Sequence, residues 1–444
     1  MPDKFRGINQ IEVERYKSIR NLSVDLKAVT VLAGRNSSGK SSVMQPLLLM
    51  KQTLDIDSKA ALLLQSENVN LTSFDQIRTR IPDLPNDSFS LRVQVENFSA
   101  KAVFTGNADD INLISTRYHF FNVQTNAVVE GTEIELSDQT SSEKLLGWVQ
   151  DVYNKPGHIE NYQPYPRACF HGICAQQAEE RAVAFPSILR PSDFVTPDIQ
   201  GIIHLPGLRG NPKRRDSKFS LEQHPFYRGT FPKYTASVIA SWERHKNGKY
   251  HELLGCLRRL RLATNIKTET GNDWVELKVS RLLPRQNGDS RASDNDDFVS
   301  IADVGVGVSQ VLPIITALIA AEKNQIVYVE QPETHLHPSA LIGLAGAVLD
   351  ATDRGVKVVI ETHSATFLLA LQVMVAERPA DSSLRDQIAL YWFRQNENGE
   401  TIIDSRIMEE NGTYGDWPVD FPNITMELQI KLVDAFNKLE MERE

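Results

Sequence analysis

Residues 34 to 41 read GRNSSGKS, a spacing of residue types suited to phosphate chemistry. Gly34 and Gly39 permit backbone geometry that a side chain would block, so successive N–H groups of the loop can point at a β-phosphate beside a helix N-terminus. Lys40 brings a positive charge to the β- and γ-phosphates, and the Ser41 hydroxyl is a candidate ligand for Mg²⁺. Asn36 within the loop and Ser42 just after it complete the candidate phosphate-binding set. The plain alternative, a serine-capped turn, leaves Lys40 without a purpose.

Three further segments carry polar groups at the ends of apolar runs. IVYVEQPETHLHP (326–338) ends a strand-like run in Glu330 and places Glu333 three residues on. A carboxylate at such a strand end can hold Mg²⁺ through water. VKVVIETHS (356–364) closes on His363, which could hydrogen-bond a γ-phosphate or an attacking water, although one histidine at a strand end is more often structural. DVGVGVSQ (303–310) sets Gly307, Ser309 and Gln310 at the start of an apolar helix, a second anion-binding end. Since the first loop already takes the nucleotide, this end is expected to serve another subunit's γ-phosphate.

The elements that must position these groups follow from periodicity. AVTVLA (28–33) reads as a buried strand feeding the helical SSVMQPLLLMKQTL (41–54), and the alternating IEVERYKSI (11–19) reads as an edge strand before it. Alternating segments between 87 and 135 predict an antiparallel meander. Residues 136 to about 270 are mixed, with Pro-rich breaks and helices at TASVIASWERH and YHELLGCLRRLRL. After the strand DWVELKVSR and a polar loop, helix, buried strand, helix and buried strand alternate, so the C-terminal part is α/β. Near the end, Ile424, Leu428, Leu432, Phe436 and Leu439 fall on one helical face, a stripe suited to core packing or an oligomer contact.

Composition narrows the class. A chain of 444 residues with 41% hydrophobic and 24% charged residues is expected to fold as more than one lobe, without long disordered or collagenous stretches. Its net charge of -9 repels nucleic acid on average, so polynucleotide contact would need a local patch such as Arg209, Lys213, Arg214 and Arg215. Solvated loop charge is the plain reading of that run. Three cysteines are too few for a disulfide framework, and no stretch reads as a signal peptide or spanning helix, so a cytoplasmic protein is expected. The pair Cys169 and Cys174 with His171 lacks a second ligand pair at finger-like spacing, so no metal ligand is assigned there.

The four ordered segments resemble the ATP-binding-cassette (ABC) ATPases of the SMC, Rad50, RecF and OLD superclass, over about 1–80 and 299–444. YKSIRNLSVDLKAVTVLAGRNSSGKSS looks like their opening strands and Walker A loop, DVGVGVSQVLP their signature, IVYVEQPETHLHP their Walker B and D-loop, and VIETHS their switch histidine. The wording is closest to OLD-like ATPases with a DUF3696-type C-terminus, whose tail motif would be GDWPVDFP. The resemblance implies an α/β, ABC-type P-loop ATPase head with an antiparallel β subdomain and a mixed α/β insertion, using ATP and Mg²⁺. The expected division is 1–85 and 299–444 for the head, 86–135 for the meander and 136–298 for the insertion. Gln76, in LTSFDQI, would be the loop glutamine that senses Mg²⁺, though a polar loop residue is an equal reading.

The family's Walker B strand ends Asp-Glu, where this chain has Glu330 and Gln331. A glutamine amide cannot accept a proton, so hydrolysis is expected to be slow unless Glu333 or His363 substitutes. No coiled-coil stretch or Toprim pattern is apparent. The resemblance therefore implies a stand-alone ATPase like the ATPase subunits of anti-phage systems such as Septu, PARIS or retron modules. It would form an ATP-sandwiched homodimer or higher oligomer and regulate a separately encoded nuclease or other effector. The alternative is a RecF-like ATPase that maintains or repairs DNA alone, and a third reading is an ATP-locked scaffold.

Overall fold

The computed structural model describes residues 5–56, 60–107, 110–120, 124–125, 127–128, 132–141, 143, 145, 161–176, 188–221, 226–280, 282–284, 290–292, 297–377 and 385–407. The 424–439 stripe and GDWPVDFP lie outside the described residues.

From the N-terminus, β1 (Ile8–Tyr16) and β2 (Ile19–Asp25) form a hairpin, and β3 (Val29–Gly34) runs into α1 (Lys40–Asp55). Next come β4 (Ser88–Val95), β5 (Phe98–Gly106), β6 (Ile111–Phe120) and β7 (Thr132–Leu136). All but β3 join one antiparallel sheet, in the order β2-β1-β4-β5-β6-β7. The meander is present as expected, but β1 is an inner strand rather than an edge. Its alternation reports which face is buried, not how many neighbours the strand has. Ile11 and Val13 enter the core, while Glu12 meets Arg92 of β4 and Glu14 reaches Lys101 of β5 on the other face.

The middle of the chain supplies the hairpin β8 (Asn161–Arg167) and β9 (Phe170–Gln176), then α2 (Thr196–Gln200) and β10 (Ile203–Leu205). Helices α3 (Thr235–Arg244) and α4 (Gly248–Arg259) fall where periodicity placed them. They are followed by β11 (Ile266–Thr270), β12 (Trp274–Ser280) and β13 (Phe298–Ser300), which pair antiparallel. Of the CFHGIC segment, Cys169 is a buried free thiol against the Met50 carbonyl, and His171 bonds Thr116.

The C-terminal part alternates α5 (Val306–Ala320), β14 (Ile326–Glu330), α6 (Pro338–Asp353), β15 (Lys357–Thr362) and α7 (Ala365–Ala376), then β16 (Ile388–Gln395) and β17 (Thr401–Ile407). These strands assemble with β3 and β10 into a second six-stranded sheet, ordered β10-β14-β15-β3-β16-β17. Pairing is parallel throughout except for β17. Thus β10, from within the 136–298 stretch, extends the sheet beyond β14.

Both faces of this sheet are covered, so its inner strands read as continuous apolar runs. Val29, Val31, Val327, Val329, Val358 and Ile360 point into a core shared with α3 to α7. Leu32, Ile326, Tyr328 and Val359 point the other way, into a core shared with α1 and the antiparallel sheet. The parallel sheet is thereby the middle layer, and its strand C-termini carry the polar groups singled out above.

Candidate functional site at the ends of the parallel strands

The phosphate loop is shaped by what surrounds it. Gly34 has φ +142°, and a Cβ there would lie 2.3 Å from the Phe393 carbonyl oxygen, so the position has no room for a side chain. Gly39, at φ +100°, leads into α1. Lys40 is buried, and its Nζ donates to the Gly34 carbonyl at 3.0 Å and the Arg35 carbonyl at 2.6 Å. Burial pulls its pKa down, against the pull of the Glu361 and Glu333 carboxylates. A buried ammonium beside a glycine-lined loop has the donor chemistry that a polyphosphate needs.

A cavity of about 820 Å³ opens over the loop. The sequence candidates Asn36, Gly39, Lys40, Ser41, Ser42, Gln76, Gln331 and His363 all reach its wall. Lys17, Ser18, Arg78, Arg80, Glu361, Asn398 and Gly399 also line it, and the sequence reading did not single them out. Six of the seven come from the β1–β2 turn, the 78–80 segment and the β16–β17 hairpin tip, which only the fold brings near residue 40. Glu361 is different: it stands inside VIETHS, two positions before the histidine that drew attention.

Parallel register sets the acids. Glu361 on β15 lies opposite both Leu32 of β3 and Glu330 of β14, so β15 stands between the phosphate-loop strand and the Glu330 strand. The Ser41 hydroxyl donates to Glu361 Oε1 at 2.9 Å, and the Tyr328 hydroxyl donates to Oε2 at 3.1 Å. Burial raises the Glu361 pKa, and the neighbouring Glu330 charge adds to the rise. Glu330 itself turns toward His204, whose Nε2 is 3.1 Å from Oε1, and toward the Gly207 N–H, 3.0 Å from Oε2. Burial pushes its carboxyl up, but His204, Gly207 and Tyr328 outweigh that and hold it below the usual value.

Gln331 adopts φ +42°, a left-handed conformation that costs a non-glycine residue of order 1 kcal/mol or more. The turn is held from both sides. Its N–H donates to the Glu361 carbonyl at 2.7 Å, and its own carbonyl accepts from Arg209 Nη2 at 3.1 Å. Glu333 Oε1 accepts the His363 N–H at 2.7 Å, while Oε2 is buried without a hydrogen-bond partner. Burial and the Lys40 charge lower the His363 pKa, so the imidazole is neutral at pH 7 and able to accept a proton.

The glycine-bearing N-terminal end of α5 stands apart. Ser309 Oγ donates to the Val306 carbonyl, Gln310 Nε2 donates to the Gly210 carbonyl, and Gly307 packs beside the His335 carbonyl. Ser309 borders a separate cavity of about 390 Å³. None of these three reaches the phosphate-loop cavity.

Of the expected basic patch, Arg209 is committed to internal contacts, whereas Lys213, Arg214 and Arg215 stay exposed. Arg209 is half-buried beneath the Gln331 turn, donating to the carbonyls of Pro206, Glu330 and Gln331. Burial brings its pKa down to about 10, which leaves it charged. Arg214 pairs with Asp303 at 2.8 Å, and the Arg215 guanidinium stacks 4.1 Å over the Trp274 ring. Lys213 borders the second cavity. Sequence proximity had grouped four charges that the fold sends in different directions.

No group of three or more His, Cys, Asp or Glu among the described residues is placed to hold a metal by itself. The donors that fit Mg²⁺ are the Ser41 hydroxyl and the adjoining carboxylate, with phosphate oxygens supplying the remainder, as is usual for this ion. No helix among the described residues is long and apolar enough to cross a membrane.

Two family models match the chain. One, described as "AAA ATPase domain", covers residues 7–155, and the other, "AAA domain, putative AbiEii toxin, Type IV TA system", covers 236–370. A curated relative, the Old nuclease of Escherichia phage P2, is 22% identical over 379 residues, or 81% of this chain. The match spans 57% of that relative's length. Among solved structures, an SMC head bound to the C-terminal winged-helix domain of ScpA aligns over 91% of this chain and 98% of its own at 10% identity, with a TM-score of 0.44. An SMC head from Pyrococcus furiosus, bound to the C-terminal domain of ScpA, aligns over 99% and 100% at 9% identity and a TM-score of 0.39. One matched ATPase stretch carries the phosphate loop and the other carries the acids and the histidine that face it, so the chain is an ATPase built on an α/β P-loop head.

Proposed function

We propose that this ATPase binds ATP with Mg²⁺, closes head to tail with a second copy around two nucleotides, hydrolyses slowly, and thereby controls a separately encoded effector, a nuclease, in defence against phage. The observation that carries the reading is the separation of two anion-binding ends. Lys40 and Ser41 open on one cavity and Ser309 on another, so a nucleotide on the first loop would receive the second only from a neighbouring copy. The defence role and the effector rest on the resemblance to OLD-like ATPases.

Slow turnover follows from the residues at the strand ends: Gln331 and His363 line the cavity, and Glu333 holds the main chain at His363. Gln331 has no proton-accepting group, and general-base help is worth roughly 10²–10⁴-fold. Glu333 and neutral His363, with the Glu333 carboxylate accepting the His363 main-chain N–H, are the groups left to orient and deprotonate water. The RecF-like alternative draws on a basic surface, and the internal contacts of Arg209 take one charge from it while Lys213, Arg214 and Arg215 stay exposed.

The test is the mass of the purified protein with and without ATP·Mg²⁺, paired with ADP release over an hour, for wild type and Glu333→Gln. ATP-driven assembly with slow release that drops further in the variant is expected. Turnover at tens per second without a partner would sink the slow-switch reading, and an unchanged mass would sink the sandwich.

A further inference from the structure

We infer that Glu361, rather than Glu330, is the carboxylate that serves the metal ion on the phosphate-loop side, and that Glu330 is a positioning residue for the loop beneath the nucleotide site. This rests on the ATP·Mg²⁺ reading above and adds a residue to it.

The two carboxylates sit in register on adjacent parallel strands, and only one of those strands touches β3. Glu361 is the nearer, by one strand. Its Oε1 already accepts the Ser41 hydroxyl, the group that a phosphate loop offers to Mg²⁺, and its side chain walls the phosphate-loop cavity. A cation drawn to Ser41 therefore meets Glu361 first. The Tyr328 hydroxyl on Oε2 fixes the carboxylate from behind, the kind of outer contact that sets the direction of a metal-side group.

Glu330 is committed elsewhere. Both of its oxygens are engaged, Oε1 with buried His204 and Oε2 with the Gly207 N–H. His204 in turn reaches Asn68 Oδ1 at 3.0 Å and stacks on Tyr328 with ring centroids 5.4 Å apart. To face the loop, the Glu330 carboxylate would have to leave a buried imidazole and a backbone N–H without their acceptor, which costs the desolvation of both groups. Its work is to hold the 206–211 segment. That segment carries Arg209, which caps the Glu330 and Gln331 carbonyls, and Gly210, whose carbonyl takes the Gln310 amide.

Mn²⁺ provides a direct readout, titrated by electron paramagnetic resonance into the full-length protein with a non-hydrolysable ATP analogue. Glu361→Gln is expected to weaken Mn²⁺ binding by roughly 10–100-fold, the range seen when metal-side partners are removed. Its affinity for the analogue without metal, read by fluorescence, should not fall below wild type, because the substitution removes a negative charge that faces the phosphates, and this separates metal loss from misfolding. Glu361→Asp, which keeps the charge, should recover part of the loss. Glu330→Gln should leave Mn²⁺ affinity close to wild type and lower the melting temperature instead. The reverse pattern, with Glu330→Gln losing the metal and Glu361→Gln keeping it, overturns the assignment alone. A wild-type protein that binds the analogue but no Mn²⁺ overturns the assignment together with the Mg²⁺ reading beneath it.

Discussion

Thr401 sits directly on the phosphate loop, where its Oγ1 would lie 2.2 Å from a Cβ built at Gly39. The same hydroxyl donates to the Ser38 carbonyl at 3.1 Å and lies 2.8 Å from Ser18 Oγ, so the β16–β17 hairpin and the β1–β2 turn clasp the loop together. Gly39→Ala must displace that clasp and also hold a side chain at φ +100°, at a cost of about 1–3 kcal/mol. The variant should melt earlier and lose at least tenfold in nucleotide affinity. Wild-type affinity for a fluorescent ATP analogue in Gly39→Ala would show that the clasp does not shape the loop.

Arg209 gives a sharp contrast between a charge that meets ligands and one that holds the backbone. Its guanidinium caps two consecutive carbonyls at the left-handed Gln331 turn. Arg209→Ala leaves both carbonyls short of a donor, and the expected loss is about 2–4 kcal/mol in chemical denaturation. Polynucleotide affinity and its salt slope should not move. A shallower slope with unchanged stability would return Arg209 to the surface patch that the sequence suggested.

What the sequence disclosed and what it hid have a common cause. The phosphate loop is local: eight consecutive residues specify glycine geometry, lysine and serine, and a buried strand precedes them. Alternating apolar runs likewise announced the strands on either side. Neighbours across strands are not local. Glu361 is more than 300 residues from Ser41, and Thr401 is farther still from Gly39, so nothing in either stretch announces the contact. The inner position of β1 was hidden for a related reason, since a half-buried strand alternates the same way with one partner or two. Arg209 misled because its neighbours in sequence are exposed, whereas its own contacts are set by β10 joining β14.

Asp198 should leave a signature in stability against pH. It accepts the Gly7 N–H at 2.7 Å, and burial raises its carboxyl from 3.8 to about 6. The native state therefore keeps a proton that the unfolded chain releases between about pH 4 and 6. Its contribution is fully present below that window and is lost as pH rises through it, by up to about 3 kcal/mol at ~1.4 kcal/mol per pH unit. Denaturation of wild type and Asp198→Asn across pH 4 to 7 reads the difference. The wild-type advantage should shrink toward pH 6; a difference that grows with pH would contradict the burial account.

His363 should set the acid side of ADP release. Burial and the Lys40 charge lower its pKa, against the Glu333 carboxylate and the Gly34 carbonyl, so protonation falls below the ordinary 6.5. Release should hold steady from pH 8 down past 6.5 and decline only below it. In His363→Ala the decline should vanish along with roughly 10²-fold or more of the rate. An acid limb centred above 6.5 would mean that the carboxylate, not burial, governs the imidazole.

Separate placement of Lys40 and Ser309 yields a complementation test. If each nucleotide is held by the loop of one copy and the α5 end of another, Lys40→Ala and Ser309→Arg each spoil every site in a homodimer. Mixed together, they form dimers in which one site joins the intact loop of the Ser309→Arg copy to the intact α5 end of the Lys40→Ala copy. ADP release should be near background for each variant alone and recover toward a quarter of wild type in an equimolar mixture, because half the dimers are mixed and each holds one good site of two. Recovery depends on the two residues working in trans. A mixture no better than its components, with assembly intact by mass, would mean that Ser309 serves its own chain and that the two cavities belong to separate events.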